Sequence, residues 1–160
     1  MKEANPVSQS FPTLYNDGTK ITRGVMSLES ILIPDQDIYS VTKKRKDGKK
    51  FVTEKRYLIK RDGIRKIAGI AGIKPEVMKT LVVSPSVTNN YMIAFDVTIE
   101  DLDGKKTTML GEASNENTKG IARMYKGLTA ERRGYSRAVL VHLGLTNVYG
   151  EDEFVLEEEI

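Results

Sequence analysis

Residues 43–66 hold twelve lysines and arginines against three acids, a net charge of +9 over 24 residues. The bases are Lys43, Lys44, Arg45, Lys46, Lys49, Lys50, Lys55, Arg56, Lys60, Arg61, Arg65 and Lys66. Like charges held this close repel one another. A nucleic-acid backbone relieves that repulsion and releases its condensed counterions, which drives association. Tyr39, Phe51 and Tyr57 interleave with the bases and can stack on nucleobases. A second basic stretch, residues 119–137, sets Lys119, Arg123, Lys126, Arg132, Arg133 and Arg137 against Glu131 alone, a net +5. The last ten residues carry six acids and no base. A formal charge of only +3 therefore conceals two positive segments and one negative end. The chemistry this pattern offers is capture of phosphates without base recognition. Three other readings compete with it. The hairpin lysines can serve solubility and block edge-to-edge pairing. The bases can meet an anionic membrane or protein. Individual arginines of the second stretch can pair with acids such as Glu112 or Glu131.

Other constellations point to chemistry less well. His142 is the single histidine. It follows Ala138 and Val139 on an apolar side, as a packed or interface histidine would, and no triad with Ser136 can be built around it. Asp47-Gly48-Lys49 and Asp103-Gly104-Lys105 spell the end of a metal-nuclease motif, with Asp96, Glu100 and Glu112 as candidate Mg²⁺ ligands. Both Asp-Gly pairs, however, fall where a tight turn is expected. Gly69-Ile70-Ala71-Gly72 matches the Gly-x-x-Gly of KH domains, but its apolar centre reads as a helix end. No Gly-x-x-x-x-Gly-Lys-Ser/Thr is present, and that argues against ATP hydrolysis by this chain. With no cysteine, disulfides, thiol catalysis and thiolate zinc sites are excluded. Neither a catalytic residue nor a metal or cofactor site is expected.

These side chains need elements to hold them. Residues 38–60 read as a hairpin turning at Asp47-Gly48, a pair that supplies the positive φ angles of a tight primed turn. A helix capped by Asp62 follows, with Ile64, Ile67, Ala68 and Ala71 at helical spacing and Gly72 as its stop. Residues 77–83 form a short strand. Residues 91–100 alternate with period two and form the clearest strand. Asp103-Gly104 turns that strand into another over residues 105–113. A helix strongest over residues 130–143 closes the domain, with Leu128, Tyr135, Val139 and His142 on one side and Arg132, Arg133 and Arg137 on another. Gly134 inside it costs about 1 kcal/mol relative to alanine. The expected fold is α+β: an antiparallel sheet with hairpins, covered on one face by two or more helices. Residues 1–12 read as a flexible segment, 13–150 as one nucleic-acid-binding domain and 151–160 as an acidic tail. That tail is either solvated charge, a dock for a nuclease or replication partner through Phe154, Val155, Leu156 and Ile160, or a competitor for the basic groove. No apolar run approaches the roughly 20 residues of a membrane span, and the first ten residues are not a secretory signal. The expected location is the cytoplasm of a bacterial or phage-infected cell.

Two stretches resemble phage single-strand annealing proteins of the RecT, Redβ, Erf and Rad-fifty-two-like group. One runs Tyr57-Leu58-Ile59-Lys60-Arg61-Asp62-Gly63-Ile64-Arg65-Lys66-Ile67-Ala68 to Ala71-Gly72-Ile73. The other begins Gly111-Glu112-Ala113-Ser114 and continues through Thr129-Ala130-Glu131-Arg132-Arg133-Gly134-Tyr135-Ser136-Arg137-Ala138 to Leu143-Gly144-Leu145. Together they cover about half of the chain; Gly134 stands where the pattern more often has alanine. The resemblance implies a Rad-fifty-two-like core, a ring or helix of subunits, and annealing of complementary single-stranded DNA without ATP. Lys43, Lys44, Arg45, Lys46, Lys49, Lys50, Lys55, Arg56, Lys60 and Arg61 would then line or flank a groove. Arg132, Arg133 and Arg137 would add phosphate contacts. The alternatives are a passive single-strand binder, a Mg²⁺-dependent nuclease, and a phage interaction or inhibitor protein.

Overall fold

The computed structural model describes residues 5–84 and 92–153, apart from the side chains of Lys43, Arg45, Asp47 and Val52. The protein is α+β. Hairpin β1–β2 (Ser10–Asn16, Ile21–Ser27) leads through a single helical turn, α1 (Leu28–Ile31), into the long hairpin β3–β4 (Ile38–Asp47, Lys50–Ile59). Helix α2 (Arg61–Ile70) follows directly. Strands β5 (Met78–Val83), β6 (Ile93–Glu100) and β7 (Lys106–Ala113) form an antiparallel sheet with β6 in the centre. The short α3 (Gly120–Met124) and the long α4 (Lys126–His142) come next, then β8 (Val148–Gly150) and a 3₁₀ turn, Glu151–Glu153.

Instead of one sheet with a free face there are, among the described residues, three small ones, and β8 joins β4 in parallel. That pairing is invisible locally, because three residues carry no periodicity. The elements β3, β4, α2, β5, β6, β7 and α4 follow the sequence pattern, whereas β1, β2, α1 and α3 have no counterpart in it. Gly48 and Gly104 take the positive φ expected of their turns (63° and 82°), and Gly72 ends α2 at φ 73°. The expected strand start at Tyr91 lies outside the described residues.

Three expectations are corrected. Residues 5–12 are not a loose leader: Phe11 in β1 is 1% exposed, and Gln9 clamps Thr146 by accepting from its backbone N–H (2.8 Å) and donating to its carbonyl (2.5 Å). A single phenylalanine among polar neighbours gives no pattern, yet its burial fixes the segment. Asp62 does not cap α2. Lys60 occupies that position without a side-chain bond, and Asp62 lies in the first turn. The carboxylate there still favours the positive end of the helix. The acidic end does not begin as a solvated tail either, since Glu151, Asp152 and Glu153 pack against α4 and α2. Residues 154–160 lie outside the described residues.

One core unites Leu28, Ile59, Ile64, Ile67, Ile99 and Val139. Helix α2 gives it the spacing i, i+3, i+4 through Ile64, Ile67 and Ala68. Helix α4 crosses β6 and β7 on their inner face, and this packing sets the direction of its arginines. At its end His142 is 8% exposed. Its Nε2 lies 2.9 Å from Asp101 Oδ2 and its Nδ1 2.7 Å from Thr107 Oγ1. Asp101 Oδ1 in turn accepts the N–H groups of Asp103 and Lys105, which shapes the β6–β7 turn. Both ring nitrogens are thus engaged in joining α4 to the hairpin. His142→Ala removes the side-chain partner of buried Asp101 Oδ2 and of half-buried Thr107 Oγ1. It is expected to lower unfolding free energy by about 2 kcal/mol in urea titration, whereas an unchanged midpoint would show that the linkage carries no stability. Among the described residues no helix is long and apolar enough to cross a membrane.

Candidate nucleic-acid interface

Two basic surfaces emerge, joined by β4. The first is a groove of about 580 Å³ between α2 and α4, bordered by β5. Arg61 and Arg65 stand four residues apart on α2 and therefore share one face. Arg132 approaches from α4, and Tyr135 forms part of the floor. The side chains of Arg61, Arg65 and Arg132 make no hydrogen bond or ion pair with any described residue, and Arg132 Nε is buried without an acceptor. Burial, then the charges of Arg132 and Arg65, pulls the Arg61 guanidinium below its ordinary value. Asp152 borders the same groove; burial raises its carboxyl despite the opposing pull of Arg132, Arg133 and Arg61. Of the two groove lysines, Lys79 is held by Glu131 at 3.2 Å and Lys74 by Glu100 at 3.4 Å. No described side chain meets these three arginines through a hydrogen bond or ion pair, and Asp152 acts on Arg61 and Arg132 only through space.

The second surface is the β3–β4 hairpin, which extends on the order of 30 Å from its base at ten residues per strand. Its register pairs Lys46 with Phe51, Lys44 with Thr53 and Thr42 with Lys55, and partners directly opposite point to one face. That face carries Lys44, Lys46, Phe51, Lys55 and Tyr57 and no acid. Phe51 is 72% exposed beside the turn lysines Lys49 and Lys50. Lys55 Nζ lies 5.2 Å from the centre of the Tyr57 ring. On the opposite face Arg56 contacts Glu54 (3.3 Å) and the Tyr149 ring, while Lys60 lies over Tyr39 at the hairpin base. Lys43 and Arg45 lie in β3, opposite Glu54 and Val52.

Arg133 and Arg137 are placed differently. Arg133 is 3% exposed, and its guanidinium donates to the carbonyls of Asp152 (2.6 Å), Glu112 (2.9 Å) and Asn117 (2.7 Å) and to Asn117 Oδ1 (2.9 Å). Burial lowers its basicity. Arg137 is forked between two carboxylates. It meets Glu112 through Nη1 (2.7 Å) and Nη2 (2.9 Å), and Glu153 through Nη2 (2.7 Å) and Nε. These bonds hold the Arg137 guanidinium above its ordinary value. Both arginines therefore tie the strand β7 and the 3₁₀ turn to α4. The pair of Arg137 with Glu112 is one of the alternatives open in the sequence; the share taken by Glu153 has no signal there. Arg65 is a further groove residue that sequence reasoning left out. Its position four residues beyond Arg61 was the available signal.

The competing constellations fall elsewhere. Asp103 holds Arg23 through two bonds of 2.5 and 2.6 Å. Glu112 belongs to Arg137 and Glu100 to Lys74. Gly72 faces Leu14, leaving no room for a ligand against its backbone. Among the described residues no group of three or more His, Asp or Glu is arranged to hold a metal ion. Comparison with protein-family models, curated proteins and solved structures returned no match.

Proposed function

We propose that this protein binds single-stranded DNA along its phosphate backbone, and that as a ring or helical oligomer it anneals complementary strands without nucleotide hydrolysis. The observation carrying the proposal is the convergence of Arg61, Arg65 and Arg132 in an open groove, with no described acid paired to any of them. Three cations cluster there at a cost in mutual repulsion that a phosphodiester removes. The hairpin supports the same reading, because its acid-free face combines lysines with an exposed phenylalanine able to stack on any base. The annealing half rests on the resemblance of residues 57–73 and 111–145 to single-strand annealing proteins. A hairpin entering a helix beside a long arginine-bearing helix is compatible with a Rad-fifty-two-like core.

The test uses a fluorescein-labelled oligothymidylate at low salt, followed by two complementary labelled strands without nucleotide. The expected results are saturable binding, weaker binding to duplex, and strand pairing faster than in buffer. Binding with no faster pairing would leave a passive single-strand binder. No binding at low salt would reject the proposal entirely. Phe51→Ala should weaken oligothymidylate binding by roughly fivefold to tenfold, the value of about one stacked base. An unchanged affinity would remove Phe51 from the interface.

A further inference from the structure

A different surface, independent of the nucleic-acid reading, is matched to a segment of this same chain. Helix α3 and the start of α4 expose Ile121 (76%), Met124 (75%), Tyr125 and Leu128 within eight residues. Around Met124, Tyr125 and Leu128 lies a cleft of about 400 Å³, closed at its far side by Ile93. Large apolar side chains this close together on one surface mark an interaction site more often than chance exposure. The patch is also cationic. Residues 116–128 contain Lys119, Arg123 and Lys126 against Glu116. Arg123 is held by the carbonyls of Thr118 (3.1 Å) and Asn115 (2.6 Å), which fix its position and leave its charge.

The complementary chemistry stands at the carboxy-terminal end: Phe154-Val155-Leu156, then Glu157-Glu158-Glu159, then Ile160. Four apolar side chains and three negative charges match in kind a patch of four apolar side chains with a net positive charge. The anchor point is close. Arg133 donates from Nε to the Asp152 carbonyl and from Nη2 to the Asn117 carbonyl, so one guanidinium separates the last described turn from the loop that enters α3. Seven further residues reach roughly 23 Å when extended, and α3 itself is about 7.5 Å long at five residues. A segment tethered within reach of a surface in this way samples it at millimolar effective concentration.

We propose that residues 154–160 dock in cis on the α3 surface, with Phe154 and Leu156 on Ile121, Met124 and Tyr125 and the glutamates beside Lys119. The neighbouring α2–α4 groove is a poorer host for this segment. Its arginines match the glutamates, but a run of three apolar residues would have to lie among unpaired guanidinium groups.

The absence of cysteine makes a disulfide test clean. In the full chain, Ile121→Cys with Leu156→Cys should oxidise to an intramolecular disulfide under glutathione at least tenfold faster than Arg65→Cys with Leu156→Cys, which reports the groove. Adding Phe154→Ser to the first pair should slow it at least fivefold. Equal or faster closure of the groove pair would overturn the proposal, as would closure indifferent to Phe154→Ser. A product that is mainly a disulfide-linked dimer would overturn it too, because the segment would then cover a second copy. The substituted positions 121 and 65 are exposed, so both variants retain the core.

Discussion

Gly111→Ala is expected to lower the unfolding free energy by about 3 kcal/mol or more, enough to remove much of the stability of a domain this size. A Cβ on Gly111 would stand 2.0 Å from the Ala130 carbonyl oxygen, 2.3 Å from the Gly134 backbone nitrogen and 2.8 Å from Gly134 Cα. All three atoms are main chain, so no rotamer change relieves the overlap and α4 must lift from β7. The lifting would break further bonds, because Arg133 and Arg137 reach β7 from the same helix. Gly134→Ala is the informative companion. Its Cβ would meet Val97 Cγ2 at 2.5 Å, Val97 Cβ at 3.1 Å and the Gly111 backbone nitrogen at 3.2 Å, so here the closest atom is the end of a short side chain rather than main chain. The gain of about 1 kcal/mol in helix propensity offsets part of the clash, so a smaller loss than for Gly111→Ala is expected. Urea titrations of both variants, with unchanged m-values, check the order. If Gly111→Ala is as stable as the parent, the close approach of α4 to β7 is wrong.

That close approach also marks where sequence reasoning stops. The Asp-Gly turns, the alternation along β6 and the spacing of Ile64, Ile67 and Ala68 are local signals, and they place the hairpins and α2. Read alone, Gly134 is a flaw in a helix; its reason lies on Val97 and Gly111, 37 and 23 positions earlier and in other elements. The arginines of α4 give the same lesson for the site. Arg132, Arg133 and Arg137 look equivalent in a charge count. Strand β7 and the turn after β8 supply acceptors to the latter two and none to Arg132. Charge density is legible in the sequence, but its neutralisation depends on tertiary neighbours that no spacing rule reveals.

This division among the arginines yields the second large expected effect. Arg61→Gln with Arg132→Gln should lower single-stranded DNA affinity on the order of a hundredfold at low salt, equally for unrelated sequences. It should also reduce the slope of log K against log salt by roughly 0.7 for each phosphate no longer neutralised. The same pair should leave the urea midpoint unchanged or raised, since glutamine keeps much of the stem packing and removes mutual repulsion between the groove arginines. Arg137→Gln should do the reverse. It strands Glu112 and Glu153 against each other, so stability falls while the salt slope of the folded fraction stays put. The two measurements together separate a binding charge from a structural one within a single helix. If the Arg61 and Arg132 double variant binds with an unaltered salt slope, the groove holds no phosphate. If Arg137→Gln flattens that slope while remaining fully folded, the fork with Glu112 and Glu153 opens to the ligand, and Arg137 belongs with the binding charges after all.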